Sequence, residues 1–126
     1  MVVHFVNVGI DMIEIDRIKK SMNRKNFLNV ILGKDEYKQL SERNFPIQSV
    51  AANFCAKEAF SKAVGTGIRG FGFKDVQLLR NDIGKPYLLI NENVIDKLSI
   101  SEFKFDVSIT HTKNYAAAVV VCDKER

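Results

Sequence analysis

The sequence predicts an α+β fold in which a mainly antiparallel sheet packs on one long central helix. Ala51, Ala52, Cys55, Ala59 and Ala63 recur at spacings of three and four, the pattern of a helix whose small face can press closely onto a sheet. Two pairs of apolar, β-prone segments are separated by short turn-like stretches. Asp75 to Arg80 and Pro86 to Ile90 flank residues 81–85, and Phe103 to Thr112 and Tyr115 to Cys122 flank Lys113-Asn114, so each pair reads as an antiparallel hairpin. Strands and helices do not alternate strictly along the chain, which favours this class over a parallel α/β sheet, with the helices on one side.

In order, Val2 to Ile10 is rich in Val, Ile and Phe and reads as the first strand, ending at Gly9-Ile10-Asp11. Asp11 then sits where the chain leaves the sheet, where it either caps the next helix or serves a site. Ile13, Ile15, Ile18 and Met22 form a helical stripe within Ile13 to Asn23, with Arg17, Lys19, Lys20, Arg24 and Lys25 around the other side. Such a charge run ordinarily is a solvated face. Ile18 and Met22 among the cations would suit an acidic amphipathic helix. Phe27 to Leu32 is a short apolar segment, and Gly33-Lys34-Asp35-Glu36 opens a helix to Arg43. Asn44-Phe45-Pro46 breaks the chain before the central helix, placed at Ile47 to Val64. Gly65-Thr66-Gly67 and Gly70-Phe71-Gly72 follow, as a helix stop or as backbone able to approach a phosphate. Asn91 to Leu98 reads as a short helix. The last strand, Ala116 to Val121, is apolar on both faces: one can meet the central helix and the other needs a cover, for which self-association is the economical answer.

At 126 residues the chain is expected to be one domain, 1–126, with a single core. Its 46% hydrophobic and 27% charged content is that of a soluble globular protein. A net charge of +4 suits an acidic partner or a phosphate-rich ligand and by itself admits nucleic acid. Cys55 and Cys122 are too few for a disulfide framework or a cysteine metal cluster and read as buried, inert thiols. Nothing at the start reads as a signal peptide, and no stretch is long enough to cross a bilayer, so a cytoplasmic protein without membrane association is expected.

The central helix also carries chemistry. Ser61 and Lys62 follow Glu58 by three and four positions, so a carboxylate, a hydroxyl and an ammonium share one edge, which can hold a metal and a phosphate together. The plain alternative is a surface Glu58–Lys62 pair followed by a Gly65 cap. Three ordered segments, Val8-Gly9-Ile10-Asp11, Phe54 to Gly67, and Asp106-Val107-Ser108-Ile109-Thr110-His111-Thr112, resemble the holo-acyl-carrier-protein synthases, a 4'-phosphopantetheinyl transferase family. Gly84-Lys85-Pro86 is a further match, and the resemblance runs from Val6 to Val121.

The resemblance implies a 4'-phosphopantetheinyl transferase-like fold and magnesium-dependent transfer of the phosphopantetheine arm of coenzyme A to a serine of apo acyl carrier protein. Adenosine 3',5'-bisphosphate leaves, and the product supports fatty acid biosynthesis. Asp11 and Glu58 are then the magnesium ligands, with Lys62 completing the catalytic set. Lys57 and Lys62 contact phosphates or hold the carboxylates. Gly65, Gly84, Lys85, Pro86, His111 and Thr112 are implied in binding coenzyme A, and Arg17, Ile18, Met22 and Arg24 in receiving the carrier. The family forms trimers with sites between subunits, which sets Asp11 and Glu58 on one side of a cleft and His111, with the Gly84-Lys85-Pro86 turn, on the other.

Some residues keep a second reading. His111 shares a strand face with Val107 and Ile109, so a structural histidine is the alternative to a phosphate contact. Asn53 stands where the family often has Arg, Asn7 where it has Gly, and Gly33 where it commonly has Thr. The first removes a phosphate contact, the second leaves the backbone approach at the strand end open, and the third alters local capping. The rival function is a noncatalytic basic module for nucleic acid or an acidic protein. The absence of Trp and the scatter of Tyr37, Tyr87 and Tyr115 argue against base stacking. A second rival is another magnesium enzyme acting on a nucleotide pyrophosphate without a carrier.

Overall fold

The computed structural model describes residues 4–65 and 71–125. The chain begins in strand β1 (His4–Glu14) and passes directly into helix α1 (Ile15–Met22). The short helix α2 (Phe27–Ile31) and α3 (Lys34–Ser41) lead to the central helix α4 (Ile47–Val64). A 3-10 turn at Phe73–Asp75 opens the hairpin of β2 (Val76–Arg80) and β3 (Pro86–Ile90), followed by α5 (Glu92–Leu98), β4 (Lys104–His111) and β5 (Tyr115–Glu125). All strand pairs are antiparallel, in one sheet of order β1-β5-β4 and a separate β2-β3 hairpin.

The predicted bounds of the central helix match the structure, and those of both hairpins lie within a few residues. The start of the first strand at Val2, and Thr66, Gly67 and Gly70, lie outside the described residues. One boundary is corrected. β1 runs on through Asp11 to Glu14, and Glu14 precedes α1, so Asp11 is a strand residue paired with Ala118 and caps no helix. β1 continues because β5 keeps offering it a partner as far as Tyr115.

Helix α4 is buried on most of its circumference, between the three-stranded sheet and the α3-β2 side. Its small seam, Ala51, Cys55, Ala59 and Ala63, belongs to the same core as Ala116, Ala118 and Val120 of β5. Small residues on both sides let helix and sheet backbones approach closely. The approach is close at Gly9, where a Cβ would lie 1.9 Å from the Ala59 carbonyl oxygen and 2.6 Å from the Ala63 nitrogen. Only glycine fits there. The second glycine of the motif, Gly9, makes this contact.

The start of α3 shows how the chain does without a capping hydroxyl at Gly33. The Gln77 side-chain oxygen on β2 accepts from the amides of Asp35 (2.9 Å) and Glu36 (3.0 Å), the donors a capping Thr would take. A Cβ on Gly33 would lie 2.4 Å from Gln77 Cδ. Gly33 and Gln77 thus form a matched pair.

On the sheet face away from α4, Val6, Val8, Ile10 and Met12 are each at least 60% exposed, with Val121 beside them on β5. The expected apolar outer face is present and lies mostly on β1.

Candidate active site

Asp11 on β1 and Glu58 and Lys62 on α4 meet where the helix crosses the strand. The Lys62 ammonium donates to the Ile10 carbonyl (3.0 Å) and to Asp11 Oδ1 (3.3 Å), and the Asp11 side chain is only 18% exposed. Glu58 is half-buried. Burial pushes its carboxyl up from the ordinary value, the Asp11 charge pushes further, and Lys62 pulls the other way. Two carboxylates facing each other with one partly exposed lysine leave a surplus of negative charge, which suits a divalent cation. Their donor set also fits magnesium, which takes one or two carboxylates and fills its remaining positions with water and substrate oxygens. Among the described residues no cluster of three or more His, Cys, Asp or Glu could hold a metal.

Cys55 lies one helical turn before Glu58. It is fully buried, its thiol points to the Ala116 carbonyl (3.5 Å), and burial followed by the nearby Asp11 charge pushes it up to about 12. It is the inert thiol the sequence suggests. Its place beneath the carboxylates was legible in the spacing of 55, 58 and 62.

Ser61 does not join the polar edge. It is buried and donates to the Glu58 backbone carbonyl (2.6 Å), the usual use of a mid-helix serine. Lys57 departs further from expectation. It is fully buried on another face of α4, and its three donors are taken by Glu36 Oε1, the Phe73 carbonyl and the Val76 carbonyl. An ammonium so engaged has no donor left for a phosphate or for Asp11 and Glu58. The physical reason is the helical step of about 100° per residue, which turns Lys57 toward α3 and β2 while Glu58 faces β1. Asn53 joins the same buried cluster, donating to Glu36 Oε2 (2.9 Å) and the Leu78 carbonyl (3.1 Å).

Two further groups of predicted residues lie apart from the carboxylates within one chain. Asp11 pairs with Ala118, and Ala118 with Ile109, so His111 is two strands over and two residues along, about 12 Å from Asp11 by strand spacing. It is exposed at the end of β4, on the same sheet face as Asp11. Thr112 closes the β4-β5 turn, its hydroxyl accepting from the Tyr115 amide (3.1 Å). The Gly84-Lys85-Pro86 turn sits at the other end of β4, where Lys85 reaches Asp106 at 3.5 Å. Gly84 has φ +84 and completes a turn held by the Asn81 side chain. Five residues separate Asp106 from His111, about 17 Å along a strand, so one chain does not gather the turn and His111 into one pocket. Gly65 has φ +82 and caps α4, its amide donating to the Ser61 and Lys62 carbonyls.

Arg17 on α1 and Arg24 just after it are exposed, as a docking face requires. Ile18 is not: at 2% exposure it packs in the core, and Met22 is half-buried against it. The stripe of 15, 18 and 22 is the side that α1 turns to the core, which corrects the expectation that Ile18 presents itself to a partner and leaves Met22 partly exposed at its edge.

The chain belongs to the 4'-phosphopantetheinyl transferase superfamily, whose pattern it matches over residues 7–120, and is an enzyme of that class. It is 41% identical over 119 residues to the holo-[acyl-carrier-protein] synthase of Clostridium beijerinckii, covering 94% of this chain and 97% of that one. The crystal structure of the Bacillus anthracis holo-(acyl-carrier-protein) synthase in complex with CoA (3',5'-ADP) superposes with a TM-score of 0.81 at 35% identity, covering 97% of this chain and 99% of the other. The Helicobacter pylori holo-[acyl-carrier-protein] synthase in complex with coenzyme A gives 0.80 at 30% identity, covering 91% and 98%. The α+β fold and the family resemblance drawn from the three motifs are both borne out.

Proposed function

We propose that the chain transfers the 4'-phosphopantetheine arm of coenzyme A to a serine of apo acyl carrier protein, with magnesium held by Asp11 and Glu58. The observation that carries the reading is the Asp11–Glu58–Lys62 junction of β1 and α4, in a chain whose relatives are holo-acyl-carrier-protein synthases. Support for the substrate comes from the coenzyme A complexes of two of those relatives.

In the transfer, the serine oxygen forms a bond to the phosphorus bearing the pantetheine. The bond from that phosphorus to the bridging oxygen breaks, and its electron pair leaves with adenosine 3',5'-bisphosphate. Two adjoining phosphates repel a nucleophile, so the site must neutralise charge and align the attack. Magnesium, when bound, supplies neutralisation and alignment at the phosphates. Asp11 and Glu58 are the carboxylates that hold it. Lys62 fixes Asp11 through its ammonium and, being 54% exposed, is free to reach a phosphate oxygen. The serine proton passes to Glu58 or to a water in the cleft.

Arg17 and Arg24, on and just after the helix that β1 leads into, meet the acidic carrier close to the carboxylates. The bare face of β1 and β5 is covered by further copies of the chain, in a homotrimer with coenzyme A between neighbours. His111 and Thr112, or the Gly84-Lys85-Pro86 turn, then reach the phosphates from an adjacent subunit, which accords with their distance from Asp11 within one chain. The product carrier serves fatty acid biosynthesis in the cytoplasm. Among the described residues no helix is long and apolar enough to cross a membrane.

Incubation with apo acyl carrier protein, coenzyme A and magnesium, followed by mass spectrometry of the carrier, tests the reading. A carrier heavier by one phosphopantetheine, only when magnesium is present, is the expected result. An unchanged carrier refutes it, and binding of the carrier without modification would favour the noncatalytic module.

A further inference from the structure

The α4 helix meets the three-stranded sheet through Ala51, Cys55, Ala59 and Ala63, a seam of small side chains. Such a seam permits close approach, and the one polar group among its side chains, the Cys55 thiol, approaches the Ala116 carbonyl at 3.5 Å. Yet the candidate site requires a defined roll. Glu58 must face Asp11, and a carboxylate about 6 Å from the helix axis moves by about 1 Å for a roll of about 10°. A displacement of ~1 Å in a catalytic group costs on the order of 100-fold in rate.

On the opposite side of α4 lie the only buried charges among the described residues, its own Lys57 and Glu36 of α3. Both are fully buried, and every bond they can make is directional. The Lys57 ammonium donates to Glu36 Oε1 and to the Phe73 (2.7 Å) and Val76 carbonyls. Glu36 in turn accepts from the Gly33 amide (3.0 Å) and the Leu78 amide (3.0 Å), and from Asn53 Nδ2 (2.9 Å). Three bonds therefore tie one α4 side chain to α3, to the 3-10 turn and to the start of β2. Asn53, one turn earlier, adds two more. A buried ion pair of this kind contributes little net stability compared with apolar residues of the same shape, and its best-attested use is to specify one arrangement among several.

We propose that Glu36, Lys57 and Asn53 are positioning residues for the transfer reaction: the buried cluster sets the roll of α4 and so holds Glu58 and Lys62 against Asp11. This rests on the reading of Asp11 and Glu58 as the magnesium pair. The lysine beside Glu58 in the Lys57-Glu58 motif acts from the far side of the helix, through the backbone, and touches no substrate.

The full-length protein carrying Glu36→Leu and Lys57→Met together removes both charges as a unit. Manganese binding is read by electron paramagnetic resonance of the free ion, alongside the melting temperature, the magnesium requirement of transfer and the KM for the carrier. Each single variant should melt far below the parent, because it leaves a buried charge unpaired. The double variant should recover most of that loss while binding manganese roughly 10–100-fold more weakly, the range typical for groups that orient metal ligands. Its magnesium requirement should rise with the KM for the carrier unchanged. A crystal structure of the double variant should show the Glu58 carboxylate displaced from its place beside Asp11.

A double variant that folds with parental manganese affinity and an unmoved Glu58 overturns the proposal. Should the double variant not fold, Asn53→Ala decides, since it keeps the ion pair and removes one bond to Glu36: several-fold weaker manganese binding supports the proposal, and unchanged binding overturns it. If the parent itself binds no manganese, the metal reading falls, and the crystallographic position of Glu58 in whichever of the two variants folds judges the anchor alone.

Discussion

Gly9→Ala adds one methyl group at a point where β1 and α4 meet backbone to backbone. The new Cβ would lie 1.9 Å from the Ala59 carbonyl oxygen, 2.6 Å from the Ala63 nitrogen and 2.9 Å from the Ala59 carbonyl carbon. All three are backbone atoms of a buried helix, so no side chain can swing aside. Reaching an ordinary contact of 3.4 Å requires strand and helix to separate by about 1.5 Å. Overpacking of this kind costs roughly 1–3 kcal/mol and occasionally more, and for a chain of this size each kcal/mol lowers the melting temperature by about 4 °C. A fall of roughly 4–12 °C is expected. The functional loss should be larger than the fall implies at a temperature where the variant is folded. The same separation draws Glu58 and Lys62 away from Asp11, and a shift of ~1 Å is worth on the order of 100-fold. Thermal melts by circular dichroism, and carrier modification by mass spectrometry at about 20 °C below the variant's midpoint, measure the two effects. A Gly9→Ala protein with parental melting temperature and parental transfer rate would refute the close-packed junction as the basis of the site.

The remaining predictions concern the site and its surroundings. Asp11→Asn and Glu58→Gln should fold as the parent does and lose transfer by at least 100-fold, because each keeps its shape and removes a hard anionic ligand; near-parental activity at limiting magnesium removes that residue from the metal site. Arg17→Glu with Arg24→Glu should raise the KM for the carrier in a salt-dependent way and leave coenzyme A binding unchanged by calorimetry. Val8→Glu with Met12→Glu should yield a monomer by sedimentation, since both side chains stand on the bare apolar face; an unchanged oligomer would move the subunit contact elsewhere. Cys55 gives a pH prediction for the metal-free protein. Its folded value of about 12 lies above the reference of 9.0, so the unfolded chain loses this proton first as pH rises. Stability from the neutral thiol is therefore complete below pH 9 and is lost toward pH 12, at about 1.4 kcal/mol per pH unit. Cys55→Ala should flatten the alkaline arm of the denaturation midpoint against pH, and identical arms would show that the thiol does not titrate as its burial requires.

Local sequence by itself determined the elements and the chemistry-bearing edge. The small-residue spacing of Ala51, Cys55, Ala59 and Ala63, bounded by Pro46 and Gly65, marked α4 at the bounds the structure has. The turn residues 81–85 and Lys113-Asn114 marked both hairpins, and the step from Glu58 to Lys62 put carboxylate and ammonium together before any partner was known. These are properties of one segment, and a segment's periodicity is written in its own residues.

Tertiary structure decided what depends on partners far along the chain. Lys57 reads from sequence as a charged neighbour of Glu58, yet its burial is settled by Glu36, 21 positions earlier, and by the carbonyls of Phe73 and Val76. Ile18 reads as an apolar residue among cations and is core because α1 lies against α4. Asp11 reads as the end of a strand and is interior to one because β5 extends past it. Gly33 lacks a capping hydroxyl, and the side-chain amide oxygen of Gln77, 44 positions away, takes its place. In each case a polar or apolar group took its role from the atom that came to face it, and that encounter exists only once the chain has packed.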